Sequence, residues 1–175
     1  MSVEVVFETH ATSEDNEAGI ATGWLPGRLS AVGREQAREL AERRRDDGLA
    51  VIFTSDLRRA VETAEIAFAG SPLPVVTDAR LRECDYGELN GTPEPIHDRA
   101  ARIDVPYPGG ESWRQAVARV SGFLEELRAE RDGERALVIG HSATRLGLEV
   151  VANGRELDEL VGARFVWQPG WEYVL

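Results

Sequence analysis

A chain of 175 residues has room for a single domain, 1–175, built on one core. Its 31 acidic side chains outnumber its 20 Lys and Arg, and the net charge of −11 excludes two classes of partner. A nucleic-acid module needs clustered positive charge, and so does a polybasic membrane anchor. Hydrophobic residues at 42% and charged ones at 29% are globular proportions, unlike those of a disordered chain. The lone Cys84 can form neither an internal disulfide nor, by itself, a zinc site, which suits a reducing compartment. Residues 1–7 lack a basic region followed by a long apolar run, so no signal peptide is expected. No stretch approaches the ~20 apolar residues of a membrane span, and the expected location is cytoplasmic.

In chain order, residues 3–7 are a β-branched run that predicts a first buried strand. Residues 30–45 predict a helix with Ala37, Leu40 and Ala41 inward and Gly48 as its C-cap. Arg43, Arg44 and Arg45 fall in its last turn, where cations complement the helix dipole; the triplet is therefore assigned to helix-end electrostatics. Residues 50–53 predict a second buried strand. Residues 56–68 then carry a 3.6-residue stripe of Leu57, Ala60, Val61, Ala64, Ala67 and Phe68. A third buried strand is expected at 74–77. A helix follows at 113–127, introduced by the capping box of Ser112 and Gln115. Residues 136–139 predict a fourth strand and 146–151 another helix. The aromatic C-terminal segment 166–173 is expected to pack as final strands, with a homodimer patch as the alternative.

Strands alternating with helices imply an α/β layer fold with a mostly parallel sheet. Ligands bind such sheets at the carboxyl ends of the strands. That directs attention to residues 8–16, 54–59 and 140–145. His10 and His141 each follow a buried run, and their imidazoles converge on one crevice if the two strands are neighbours. The third histidine, His97, lies in a Pro-rich loop and is expected to be exposed. Small residues after His141 let backbone N–H groups approach an anion. Arg58 and Arg59 stand at a helix start, the wrong end for the dipole, which makes one of them a candidate anion ligand. The competing assignment is an i,i+4 pair of Arg58 with Glu62. Glu83 alone reads as surface charge. Two histidines, an arginine and an acid around an anion suffice for phosphoryl transfer: imidazole attacks phosphorus, cations hold the oxygens, and the acid protonates the leaving group.

Six fragments in order resemble the histidine phosphatase superfamily, of phosphoglycerate-mutase-like fold. Thr9-His10-Ala11-Thr12-Ser13 with Asn16 is similar to its Arg-His-Gly-Glu-(Thr/Ser) block. Leu29-Ser30, Gly33 and Gln36-Ala37 resemble its Leu-Thr-x-x-Gly-x-x-Gln-Ala helix start. Ser55, Leu57, Arg59-Ala60 and Thr63-Ala64 resemble the Ser-x-Leu-x-Arg-Ala-x-x-Thr-Ala block. Leu81, Glu83, Tyr86-Gly87 and Gly91 resemble the acid-bearing loop; Pro108-Gly109-Gly110-Glu111-Ser112 the turn before a helix; and Gly140-His141 the second histidine block. The resemblance implies a three-layer sandwich with helices on both faces of the sheet. It implies a metal-independent phosphatase with no cofactor, acting on a small phosphorylated substrate. His10 would be the nucleophile, and Arg59 and His141 would hold the phosphoryl group. Asn16 and Ser13 would assist, and Glu83 would be the general acid and then the base. Residues 90–107 would line the mouth of the site.

The chain also departs from the pattern. Thr9 replaces the arginine before the nucleophile, exchanging a bidentate charged clamp for one neutral hydrogen bond. Losing one such cation costs on the order of 10²–10³ in rate. Ala11 replaces a glycine, and Ser142-Ala143 replace Gly-Gly. Arg145 or Arg28 could restore the missing charge. Three functions follow: a phosphomonoester hydrolase, a degenerate member that binds a phospho-ligand or protein without turnover, and a mutase or another transferase on the same scaffold.

Overall fold

Alternation along the strands decides the layers. The computed structural model describes residues 2–94 and 97–175. The main sheet is made of β1 (Glu4–Thr9), β3 (Val51–Thr54), β4 (Val75–Thr77), β6 (Arg135–Gly140) and β7 (Trp171–Val174), in the order β4-β3-β6-β1-β7. The first four are parallel and β7 runs antiparallel at the edge. A small antiparallel pair, β2 (Ile20–Ala21) with β5 (Thr92–Pro93), lies apart from it.

Side chains at successive strand positions point to opposite faces. Val5, Phe7, Val51, Phe53, Ala136 and Val138 face α4 (Trp113–Glu130) and α5 (Ser142–Asn153) through Val120, Phe123, Leu124 and Leu148. Val6, Ile52, Leu137 and Ile139 face α2 (Ala31–Arg44) and α3 (Arg58–Ala67) through Leu40, Ala64 and Ala67. The strands are thus buried on both sides, which is why they read as continuous apolar runs. The remaining helices are α1 (Glu14–Glu17) and α6 (Leu157–Gly162).

The capping box at Ser112 and Gln115 forms as read, and Ser30 caps α2 by accepting from Gly33 N at 3.1 Å. Two strand expectations need correction. β4 is exposed along its length, because it is the sheet's outer strand. Within 166–173 only Trp171 onward joins the sheet; Phe165, Val166 and Trp167 stay exposed at 44%, 71% and 56%.

The register of the two central strands matters most for the site. β1 pairs with β6 so that Thr9 stands opposite Gly140. The next residue on each strand is a histidine. His10 N donates to Gly140 O at 3.0 Å, which extends the pairing one step beyond the strand ends.

Candidate active site

The two imidazoles meet with ring centroids 5.0 Å apart. His10 is half-buried, and its Nδ1 lies 2.7 Å from Ala11 O. A carbonyl can only accept, so Nδ1 carries the hydrogen and Nε2 presents its lone pair. Burial and the neighbouring Arg59 guanidinium push this imidazole down to about 3. It is therefore neutral around pH 7, as a nucleophile must be. Ala11 has no positive φ, so the missing glycine costs nothing there. Its N–H donates to Thr63 Oγ1 at 3.0 Å, and that hydroxyl donates to Arg59 O at 2.7 Å. Thr63 thus ties the nucleophile loop to α3.

His141 is 2% exposed. Burial first, then Arg59 and His10, hold it well below the ordinary histidine value. Arg59 Nη2 stands 3.4 Å from its Nδ1, which must accept; Nε2–H then donates to Ser55 Oγ at 2.7 Å. Ser55 fixes this ring. The sequence pattern gives it no role, and the pairing of β3 with β6 is what brings it to His141.

Arg59 is the centre of the charge pattern. It is 3% exposed. Its guanidinium donates to Gly23 O at 2.9 Å, Leu25 O at 3.4 Å and His10 Nε2 at 3.3 Å. All these partners are neutral, and Arg59 makes no salt bridge among the described residues. Burial lowers its pKa, with the carboxylates of Glu83 and Asp15 opposing. A buried cation without a counter-ion is costly, and an anionic ligand removes that cost. Arg58, its neighbour, is exposed and forms no pair with Glu62. Glu62 instead accepts from Leu29 N and pairs with Arg34.

Glu83 is 9% exposed, not the surface charge it resembles in isolation. Its carboxylate accepts from Cys84 N at 2.9 Å, Ala143 N at 3.1 Å and Ser142 N at 3.1 Å, the last two at the N-terminus of α5. Its backbone carbonyl is held by Trp24 Nε1 at 2.6 Å and Arg119 Nη2 at 2.7 Å. Arg119 also donates to Arg80 O and Arg82 O, both at 2.8 Å, and clamps Glu111 through two bonds. The acid-bearing loop is thus pinned from α4. Nothing in the sequence marks Arg119 for this, since a charge on a helix reads as a solvated face.

Thr9, His10, Asn16, Arg59, Glu83, His141, Ser142 and Arg145 all line one cleft of about 920 Å³. Ser13 does not. It is fully buried, and its Oγ accepts from Asn16 N at 3.1 Å as the cap of α1. Ser13 N in turn donates to Asn16 Oδ1 at 3.0 Å; no hydrogen bond among the described residues uses the Asn16 Nδ2. Arg28 is also out of reach, exposed and paired with Glu14 at 2.7 Å. Arg145 stays in the cleft wall, its guanidinium 5.7 Å from the Phe165 ring and 5.5 Å from Trp171.

His97 is half-buried rather than exposed. It packs on Tyr86 at 4.6 Å and lies 2.9 Å from Thr92 Oγ1, at the mouth of the cleft. Of the mouth segment 90–107, Pro95 and Ile96 lie outside the described residues. Arg43 and Arg44 fall in the last turn of α2 and Arg45 caps it, as read, but their partners reach beyond the helix end. Arg45 pairs locally with Glu42. Arg44 bonds the buried Glu8 carboxylate at 2.8 Å and Asp47 at 3.0 Å; Arg43 bonds Glu8 at 3.2 Å and lines the cleft. No helix among the described residues is long and apolar enough to cross a membrane, and no cluster of metal-ligating side chains occurs among them.

Comparison with known proteins gives a consistent placement. The family model of the histidine phosphatase superfamily (branch 1) matches residues 5–161. A 2,3-bisphosphoglycerate-dependent phosphoglycerate mutase from Methylobacterium sp. (strain 4-46) is 34% identical, over 90% of this chain and 84% of the mutase. A mycobacterial glucosyl-3-phosphoglycerate phosphatase structure aligns with a TM-score of 0.81 at 25% identity, over 90% of this chain and 85% of that one. Bacillus stearothermophilus YhfR shares the fold with a TM-score of 0.86 at 24% identity, over 97% of this chain and 90% of that one. Strand register, paired histidines and a family match over most of the chain lead to one conclusion: this protein belongs to the histidine phosphatase superfamily.

Proposed function

We propose that this chain hydrolyses a small phosphomonoester through a phosphohistidine on His10. The observation that carries the reading is the buried Arg59, which has only neutral partners and stands 3.3 Å from a neutral His10 Nε2. In the first step the Nε2 lone pair attacks phosphorus and the P–O bond to the leaving group breaks. Glu83 delivers a proton to the departing oxygen. Arg59 and the free Asn16 amide donate to the nonbridging oxygens where charge develops; His141 joins them by carrying its hydrogen on Nδ1 once the anion takes Arg59, with Nε2 then accepting from the Ser55 hydroxyl. In the second step water attacks phosphorus, its proton passes to Glu83, and His10 is released with inorganic phosphate. The cleft is rimmed by the exposed Asn16, Glu39, Glu94 and Trp167, so water has a path to the phosphorylated imidazole.

The mutase relatives favour a second reading, in which a second hydroxyl takes the phosphoryl group from His10. Incubation with a panel of phosphomonoesters separates the two. Free phosphate that disappears with His10→Ala supports hydrolysis, and an isomerised ester supports transfer. Phosphate binding with neither product would mean a degenerate member, the outcome that Thr9 makes worth testing.

A further inference from the structure

Among the described residues, Arg43, Arg59, Arg99 and Arg145 line the cleft. Arg59 already has a task at His10. Arg43 and Arg44 together meet two carboxylates, Glu8 and Asp47. Arg99 lies over Trp113 at 4.1 Å with its Nε buried, as part of the aromatic wall. Arg145 is different. Its side chain is 18% exposed, and its guanidinium makes no hydrogen bond with any described residue. Two rings hold it, Phe165 at 5.7 Å and Trp171 at 5.5 Å. A ring attracts the charge but supplies no acceptor oxygen, so the N–H fork stays available. The Glu149 carboxylate is 4.0 Å from Arg145 and already accepts from the Tyr173 hydroxyl at 2.8 Å and Asn153 Nδ2 at 3.0 Å. Arg155 also stands 4.0 Å from it. Two guanidiniums share this one carboxylate, which leaves one positive charge over. Arg145 also sits in the first turn of α5, the end where the helix dipole disfavours a cation. An anion in the cleft would relieve that opposition.

We propose that Arg145 is a second catalytic cation, which holds the phosphoryl group at His10 from the face of the sheet opposite Arg59; this rests on the phosphomonoester reading above. A phosphomonoester brings about two negative charges at pH 7. Both cleft histidines are neutral there, so Arg59 alone leaves about one charge unbalanced. Arg59 belongs to α3, which covers one face of the sheet, and Arg145 to α5, which covers the other. Arg145 N donates to His141 O at 3.1 Å, which sets the two residues one turn apart. Side chains on a helix tilt toward its N-terminus, and for α5 that end lies at the strand ends. Phe7 packs on Trp171 at 5.6 Å, and Thr9, two residues on along β1, points to the same face. Thr9 is uncharged, so β1 itself brings no cation to that side. From the Trp171 ring to the end of β1 is one strand repeat, about 7 Å. An arginine held by no hydrogen bond covers that step by turning about its own torsions. Phe165 and Trp171 are then the platform on which the guanidinium rests until an anion draws it inward.

The test uses p-nitrophenyl phosphate for turnover and inorganic phosphate for binding. Arg145→Gln should lower kcat by about 10², the usual effect of removing one transition-state donor. It should also weaken phosphate binding about ten- to a hundredfold, the worth of one charge-assisted hydrogen bond. Arg145→Lys keeps the charge and should lose less on both counts, whereas Arg99→Gln should change neither. Thermal melts confirm that the variants are folded, and Arg145→Met repeats the measurement if Arg145→Gln melts early. Unchanged phosphate binding in a folded Arg145→Gln or Arg145→Met overturns the proposal. So does equal weakening by Arg145→Gln and Arg145→Lys, or a loss that appears in Arg99→Gln alone. Calorimetry with inorganic phosphate in a His10→Ala background keeps the two claims separate. Binding there that needs Arg145 supports the second cation even if the wild type releases no phosphate, and binding indifferent to Arg145 refutes it even if the wild type does.

Discussion

Replacing Arg59 with Met should abolish turnover without harming the fold. Arg59 is 3% exposed and has no counter-ion among the described residues, so the folded protein carries the desolvation of a full charge, several kcal/mol. Met fills similar volume without that charge. What is lost is the bond to Gly23 O at 2.9 Å and three longer contacts. Leaving one buried carbonyl unpaired costs about 1–3 kcal/mol. The two effects roughly offset, with the balance toward stabilisation. At about 2–4 °C per kcal/mol for a domain of this size, the expected Tm lies between unchanged and about 5 °C higher. Phosphatase kcat should fall by at least about 10², the usual effect of removing one transition-state donor from a dry site. Millimolar inorganic phosphate should raise the Tm of the wild type and not that of the variant. Differential scanning calorimetry with and without phosphate, alongside a phosphate-release assay, measures all three. A Tm lowered by more than about 5 °C with turnover retained would refute the reasoning, since Arg59 would then be a strut and not an anion ligand.

Three further outcomes follow from the site. Both cleft histidines are held below the ordinary 6.5, His10 at about 3, so the unfolded chain binds more protons than the folded one between about 3 and 6.5. Stability is then full above pH 6.5 and falls as the pH drops, by about 1.4 kcal/mol per unit for each imidazole. Urea titrations at pH 7, 6 and 5 should show a shallower acid dependence for His10→Asn; equal slopes would contradict the neutral nucleophile. Ser55→Ala removes the 2.7 Å partner of His141 Nε2 and should lower kcat about tenfold to a hundredfold while the protein stays folded. Wild-type kinetics in that variant would deny Ser55 its positioning role. A Cβ at Gly33 would lie 1.9 Å from Thr12 O, so Gly33→Ala should cost about 1–3 kcal/mol, read as a lower Tm; an unchanged melt would mean that the start of α2 can shift freely.

Much of the architecture could be read from local patterns. Apolar runs near 3–7, 50–53 and 136–139 became central strands because a strand covered on both faces needs apolar residues at every position. The same logic failed at 74–77. Val75 and Val76 are as apolar as their neighbours, but the edge position leaves them 45% and 39% exposed, and edge placement is a property of the assembled sheet. At the site, His10, Arg59, Glu83 and His141 could be chosen because their segments resemble an ordered family pattern. Ser13 belongs to the same pattern, yet its hydroxyl is used up within three residues as a helix cap.

The amino-acid sequence by itself determined the layers, the strand ends that carry chemistry and the family. Those properties are encoded in residue type and short-range period, which act before the chain closes on itself. Only the tertiary structure decided which charges face which. Arg43, Arg44 and Arg45 are alike in sequence, but Arg45 turns to Glu42 one helical turn away, while Arg43 and Arg44 meet a buried Glu8 more than 30 residues earlier. Arg119 and Glu83 are likewise joined across 36 residues. Long charged side chains find their partners through the packing of distant elements, so a net charge of −11 could exclude partners but could not place a single cation in the cleft.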